Sequence, residues 1–189
     1  MLKRLCSLLL GLLLAVSCAA AEGSVILAPY AHSAEEQAYA LLLGLDTPHL
    51  IYTFDTGRTE GCFRVNVYAL QDGRWLMANT QRVPLAAASG RLALACDRLE
   101  ESLRIAVQTE ANTDSIVCHP LFGMMTDGFA DNQVSLSEPA SVSWEAELPL
   151  VIQSASEELL SLTAFSDPAG LLEPSYAITI AYEVKEKNP

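Results

Sequence analysis

Six side chains of this 189-residue chain are of the types that hold zinc: His32, His49, His119, Cys62, Cys96 and Cys118. Their spacing does not build a zinc site. Cys118 and His119 are neighbours, and neighbours in an extended chain point to opposite faces, so both do not easily reach one ion. No Cys-x-x-Cys spacing occurs, so neither a zinc ribbon nor a redox pair is supported. The three histidines stand at loop-like places beside Tyr30, Pro48 and Pro120, where a solvated or turn-capping imidazole is the ordinary reading. Asp127-Gly128-Phe129-Ala130-Asp131-Asn132 offers oxygen ligands for calcium. It lacks the alternating ligands and closing Glu of a calcium loop and reads as an acidic surface turn.

Catalysis by side chains alone fares no better. A glycosidase needs two carboxyl groups about 5–10 Å apart in a cleft. Asp55, Glu60, Asp97, Asp127 and Asp131 are available, but 23 acidic residues supply such pairs by chance. No G-x-S-x-G nucleophile turn and no Gly-rich loop opening a helix are present. No catalytic residue, metal or cofactor is therefore expected. Aromatic rings are the remaining candidates, because their flat faces match the C–H faces of sugars. Trp75 and Tyr68 flank a turn at Asp72-Gly73 and are the sugar-binding candidates; Tyr52, Phe129 and Tyr176 are weaker ones. Trp144, between Ser143 and Glu145, reads as an inward core residue.

The start of the chain carries a different kind of chemistry. Met1, Lys3 and Arg4 give a positive end, Leu5 to Val16 is an apolar run, and Ser17-Cys18-Ala19-Ala20-Ala21 supplies small residues before Glu22. That order is an export signal, with residues 1–21 removed and 22–189 left as one domain. The apolar run is too short to span a hydrocarbon core of ~30 Å. Ala15-Val16-Ser17-Cys18 also resembles a bacterial lipobox, with Ala15 where Leu is usual; cut there, Cys18 would carry lipid. The expectation is a bacterial protein outside the cytoplasm, secreted or lipid-anchored to the outer face of the membrane. Cys62, Cys96 and Cys118 remain, and three thiols allow three different single bridges.

The chain holds 11 Lys+Arg against 23 Asp+Glu, a formal net charge of −12. Such a surface repels nucleic acid and anionic lipid, so membrane contact is expected only through an N-terminal lipid. Expected partners are a cell-surface glycan or protein.

The elements that must position these residues are mostly strands. Ser33-Ala34-Glu35-Glu36 forms a capping box, and Ala38, Leu41, Leu42 and Leu45 share a stripe, so the chain opens with a helix ending near Gly44. After Pro48 the period changes to two. Leu50–Phe54 is β-rich; Phe63, Val65, Val67 and Ala69 alternate with Arg64, Asn66, Tyr68 and Leu70. Asp72-Gly73 is a hairpin turn, with Arg74–Met77 starting the return strand. Arg91–Cys96, Leu103–Thr109, Ile116–Cys118, Val134–Ser137 and Val142–Gln153 follow, Pro149 implying an edge or bulge. Ser156–Ala164 is a short helix or strand, and Tyr176 to Val184 alternates as the last strand. The fold class is mainly β: an antiparallel β-sandwich of about 8–9 strands with one N-terminal α-helix.

Leu41-Leu42-Leu43-Gly44, Phe54-Asp55 and Val67-Tyr68-x-Leu70-x-Asp72-Gly73-x-Trp75, followed by Gly90–Leu94, Leu103–Gln108 and Leu148–Gln153, resemble an uncharacterised family of small exported proteins and lipoproteins of Firmicutes. The resemblance implies export and a β-rich fold, and lends no activity or site residue. The functional expectation is a non-catalytic extracytoplasmic protein with a binding or envelope-associated structural role. A carbohydrate-binding module is the alternative, and an extracytoplasmic hydrolase a more distant one.

Overall fold

The computed structural model describes residues 25–36, 38, 50–57, 61–95, 103–110, 112–118, 132–143, 146–155 and 159–184. Eleven strands account for most of them. In chain order they are β1 (Val25–Pro29), β2 (Leu50–Asp55), β3 (Gly61–Gln71), β4 (Arg74–Pro84), β5 (Ser89–Ala95) and β6 (Leu103–Gln108). There follow β7 (Thr113–Cys118), β8 (Asn132–Ser135), β9 (Ala140–Val142), β10 (Leu148–Ser154) and β11 (Ser175–Val184). They form a six-stranded sheet in the order β7-β6-β5-β2-β1-β9 and a five-stranded sheet in the order β4-β3-β11-β10-β8. Every pairing is antiparallel.

Alternation builds the shared core. Leu27, Tyr52, Phe54, Leu92, Leu94, Leu103 and Ile105 of the six-stranded sheet meet Phe63, Val65, Val67, Ile178, Ile180 and Tyr182 of the other in one buried cluster. Burial of each large apolar side chain contributes about 1.5–3 kcal/mol. Phe54 and Phe63 meet edge to face across the layers, with centroids 5.2 Å apart. Tyr52 is buried to 1 % exposure and its hydroxyl donates to the Leu150 carbonyl at 3.4 Å. Burial holds the Tyr52 phenol proton well beyond the ordinary tyrosine range.

The hairpin expected at Asp72-Gly73 joins β3 to β4. Both residues take positive φ, 51° and 69°, as a two-residue turn with the twist of the flanking strands requires. Gly90 meets a different demand: a Cβ there would run into the Gln108 carbonyl oxygen and approach Phe54 Cζ to 2.9 Å.

Three boundaries differ from the sequence expectation. β1 was not expected, because Ile26 is an outward-facing apolar residue, 47 % exposed, that obscures the period between Val25 and Leu27. The extended run expected over 142–153 is two strands in different sheets: β9 belongs to the six-stranded sheet and β10 to the five-stranded one. A Ser143 turn begins the corner, its Oγ accepting from Ala146 N at 3.3 Å. The register shift expected near Pro149 is present between Pro149 and Val151, and it lets both Leu150 and Val151 face the core. The short element over 156–164 is a 3₁₀ helix at Leu162–Phe165, capped by the Ser161 side chain.

The capping box is formed. Glu36 N donates to Ser33 Oγ at 3.2 Å, and Ser33 N donates to Glu36 Oε2 at 2.8 Å. A helical turn opens at residues 34–36, but the full N-terminal helix is not seen, and residues 39–49 lie outside the described residues. The turn is tied to the six-stranded sheet. Tyr30 donates its hydroxyl to Glu36 at 2.8 Å and lies under the Arg91 guanidinium, 4.0 Å from the ring centre.

Candidate functional site: a polar groove on the outer face of the five-stranded sheet

The outward positions of β3, β4 and β11 fall into register across the sheet. Arg64 lies between Arg82 and Ala181, Asn66 between Thr80 and Thr179, and Tyr68 between Met77 and Ala177. The corner between β9 and β10 brings Glu147 over this row. Its Oε1 accepts from Asn66 Nδ2 at 2.9 Å, and its Oε2 accepts from Tyr68 Oη at 2.8 Å and Thr179 Oγ1 at 2.6 Å. Thr80 Oγ1 donates to Asn66 Oδ1 at 2.6 Å, which turns the Asn66 amide so that its NH₂ faces Glu147. Asn66 and Thr179 are fully buried and each has its partner. A buried polar group costs little once it is bonded, and a connected set of them is held rigidly.

Two arginines directly opposite on neighbouring strands would repel. Glu183 relieves the repulsion by accepting from Arg64 Nη1 at 2.9 Å and from Arg82 Nε at 3.1 Å. Arg64 Nη2 also reaches Glu147 Oε1 at 3.8 Å, so one guanidinium bridges both carboxylates. Cys62, opposite Glu183, has its thiol 3.5 Å from Glu183 Oε2. Burial and this acceptor push the thiol above its usual range, away from nucleophilic character. Burial and the Glu147 acceptor likewise hold the proton on Tyr68 well past the ordinary tyrosine range.

These side chains border an open groove of about 740 Å³, lined by Arg64, Asn66, Met77, Thr80, Gln81, Arg82 and Glu147. Along the same sheet face, past Met77 and its neighbour Tyr68, stand aromatic residues. Phe165 of the 3₁₀ helix packs edge-on against Tyr68, with centroids 5.2 Å apart, and stacks on Trp75 at 5.8 Å. Trp75 Nε1 donates to the Ala164 carbonyl at 3.3 Å.

The two sugar candidates, Trp75 and Tyr68, therefore stand on one face, brought together by a residue that sequence reasoning missed. Phe165 gave no signal of its own, because it lies in an irregular segment whose packing partner is about 90 residues away in sequence; the Trp75–Ala164 bond spans 89. Glu147 was hidden for a similar reason: it follows the core-like run around Trp144, and only the corner turns it outward. Asn66 and Tyr68 were visible as polar positions alternating with core, and Thr179 was not distinguished from its neighbours.

The arrangement can bind polar groups but holds its own acids fast. Glu147 is occupied by three donors, and Glu183 by two arginines and a thiol, so neither is a free proton donor beside an open position. Asp55 accepts from Gly57 N and serves a turn. Among the described residues, no group of three or more His, Cys, Asp or Glu is placed to hold a metal. His32 packs edge-on against Tyr30 at 5.1 Å. Cys18, His49, Glu60, Cys96, Asp97, His119, the 127–131 acidic turn and Trp144 lie outside the described residues, as does the side chain of Cys118. No helix among the described residues is long and apolar enough to cross a membrane. No known protein family, curated protein or solved structure matches the chain.

Proposed function

We propose that the protein is a non-catalytic binding component of the extracytoplasmic space, and that its ligand, a glycan, lies in the groove over β3, β4 and β11. One observation carries this reading: the hydrogen-bonded set of Asn66, Tyr68, Thr80, Thr179 and Glu147 stands beside the Tyr68–Phe165–Trp75 cluster on one sheet face. Fixed donors and acceptors recognise hydroxyl groups with little ordering cost, and an adjacent half-buried ring suits a sugar's apolar face. The order of residues 1–21 supports export, with Cys18 the acceptor if the product is a lipoprotein. The resemblance to small exported proteins and lipoproteins of Firmicutes points the same way.

A glycan array and a cell-wall pull-down with the exported form test the proposal. Retention on a polysaccharide is expected, weakened at least tenfold in Gln81→Ala or Trp75→Ala. Variants that fold and bind as well as the parent would remove the groove from consideration. Labelling with radioactive palmitate decides between the two exported forms: label that depends on Cys18 marks the anchor, and unlabelled protein in the medium marks free secretion.

A further inference from the structure

We infer that the groove over β3, β4 and β11 takes an uncharged polysaccharide, one bearing hydroxyl groups but no carboxylate, phosphate or amine; this rests on the reading of the groove as a glycan site and narrows it. The charged side chains of the lining are Arg64, Arg82 and Glu147, with Glu183 bonded to both arginines beside them. Two positive and two negative groups cancel. Glu183 takes Arg64 at 2.9 Å and Arg82 at 3.1 Å, and Arg64 reaches Glu147 at 3.8 Å. The other lining residues, Asn66, Met77, Thr80 and Gln81, are neutral. Little of the charge is left to select a charged ligand. Arg64 gives Nη1 to Glu183 and directs Nη2 to Glu147, and its Nε is buried without a hydrogen-bond partner, out of a ligand's reach. Glu147 already accepts from Asn66, Tyr68 and Thr179. Arg82 is more open: its side chain is 70 % exposed, so water and salt screen it, and its Nε already faces Glu183.

A carboxylate or phosphate on the polymer would have to draw an arginine away from Glu183, leaving that half-buried carboxylate short of a partner. It would also approach a chain of net charge −12, which repels polyanions from a distance. An amine meets the opposite case. The acidic surface attracts it at large, but neither carboxylate of the groove is free to single it out, so its binding is diffuse and yields to salt. Hydroxyl groups meet neither penalty, because each is donor and acceptor at once and separates no ion pair. Thr80 is exposed, and its Oγ1, which donates to Asn66, keeps lone pairs for such a hydroxyl. The outer guanidinium hydrogens of Arg82 can donate to another while its Nε stays on Glu183.

The test is frontal affinity chromatography of the exported form on columns of dextran, xylan and hydroxyethylcellulose, of their carboxymethyl derivatives, and of diethylaminoethyl-dextran. Retention is expected on at least one uncharged column. It should change less than about twofold between about 50 and about 500 mM NaCl, and fall at least tenfold in Trp75→Ala. The carboxymethyl form of the retained polymer should bind at least tenfold more weakly. Glu183→Gln, which leaves the two arginines in excess by one charge, should recover at least about fivefold of that loss, with retention now falling as salt rises. If that variant fails to keep the parent's far-ultraviolet dichroism, Met77→Lys adds the same single charge at an exposed position, leaves the ion pairs in place, and should show the same gain. On diethylaminoethyl-dextran, parent and Trp75→Ala should be retained alike and released by salt. A carboxymethyl form bound as well as its uncharged polymer, through contacts that need Trp75, would overturn the inference and leave the glycan reading standing. So would charge variants that fold and gain nothing on the carboxymethyl column. Retention that never depends on Trp75, on any column, would remove the glycan reading and this inference with it.

Discussion

Single atoms decide several features of this molecule. Gly90→Ala adds one carbon where the Gln108 carbonyl and the Phe54 ring already stand, so the variant should lose about 1–3 kcal/mol, read from urea unfolding. Glu147→Gln replaces an acceptor by a group with two donors, facing Asn66, Tyr68 and Thr179, which all donate. One of those donors is left unmet, and the expected loss is about 1–3 kcal/mol in the same measurement. Trp75→Ala removes the stack on Phe165 and the bond to Ala164. Hydrogen exchange should quicken at Ala164–Ser166 while β3 and β11 keep their protection. Global loss of protection would show that Trp75 supports the core rather than the segment over it. How much of the site could be read in advance differs residue by residue. Tyr68 and Trp75 flank a turn with a strong signature, so their placement on neighbouring strands was legible. Phe165 and Glu147 were not, because a residue's partners across a sheet face depend on which distant strands become neighbours, and alternation along one strand carries no such information.

At the scale of elements, local rules read well where one face of a strand meets water and poorly where both are covered. β6, with Leu103, Ile105 and Val107 buried and Arg104 and Gln108 exposed, follows the simple alternation. β11 was expected to alternate, and its inward set is as expected. Yet its first eight residues are all buried, because Ala177, Thr179 and Ala181 lie on the opposite face, which is also covered. Small and hydroxyl-bearing side chains there look like a solvent face in the sequence. The strand count rose to eleven because short strands such as β8 and β9 need neighbours to be strands at all. The capping box is the opposite case: four consecutive residues contain the whole interaction, and it forms as read. Ser33→Ala should therefore cost about 1 kcal/mol of local helix stability. A fragment spanning residues 25–49 would report it by dichroism, and unchanged helicity would count against that helix start.

For the molecule as a whole, two phenols, one buried and one half-buried, set an alkaline limit. Unfolded tyrosines release their protons near pH 10, whereas Tyr52 and Tyr68 hold theirs longer in the fold. Their contribution is complete below the unfolded value and is lost as pH rises past it, so stability should fall above about pH 10. Tyr68→Phe should flatten part of that fall in a pH series of melting temperatures. The distribution of β11's contacts has a consequence of a different kind. Among the described strands it comes last in sequence, yet it sits in the middle of its sheet, between β3 and β10, and its Glu183 meets an arginine 119 residues earlier. Without β11, β3–β4 and β8–β10 have no common neighbour to zip them together. Displacing this single strand would therefore divide one layer of the molecule into two unjoined pieces, so damage at β11 should be felt across the whole sheet.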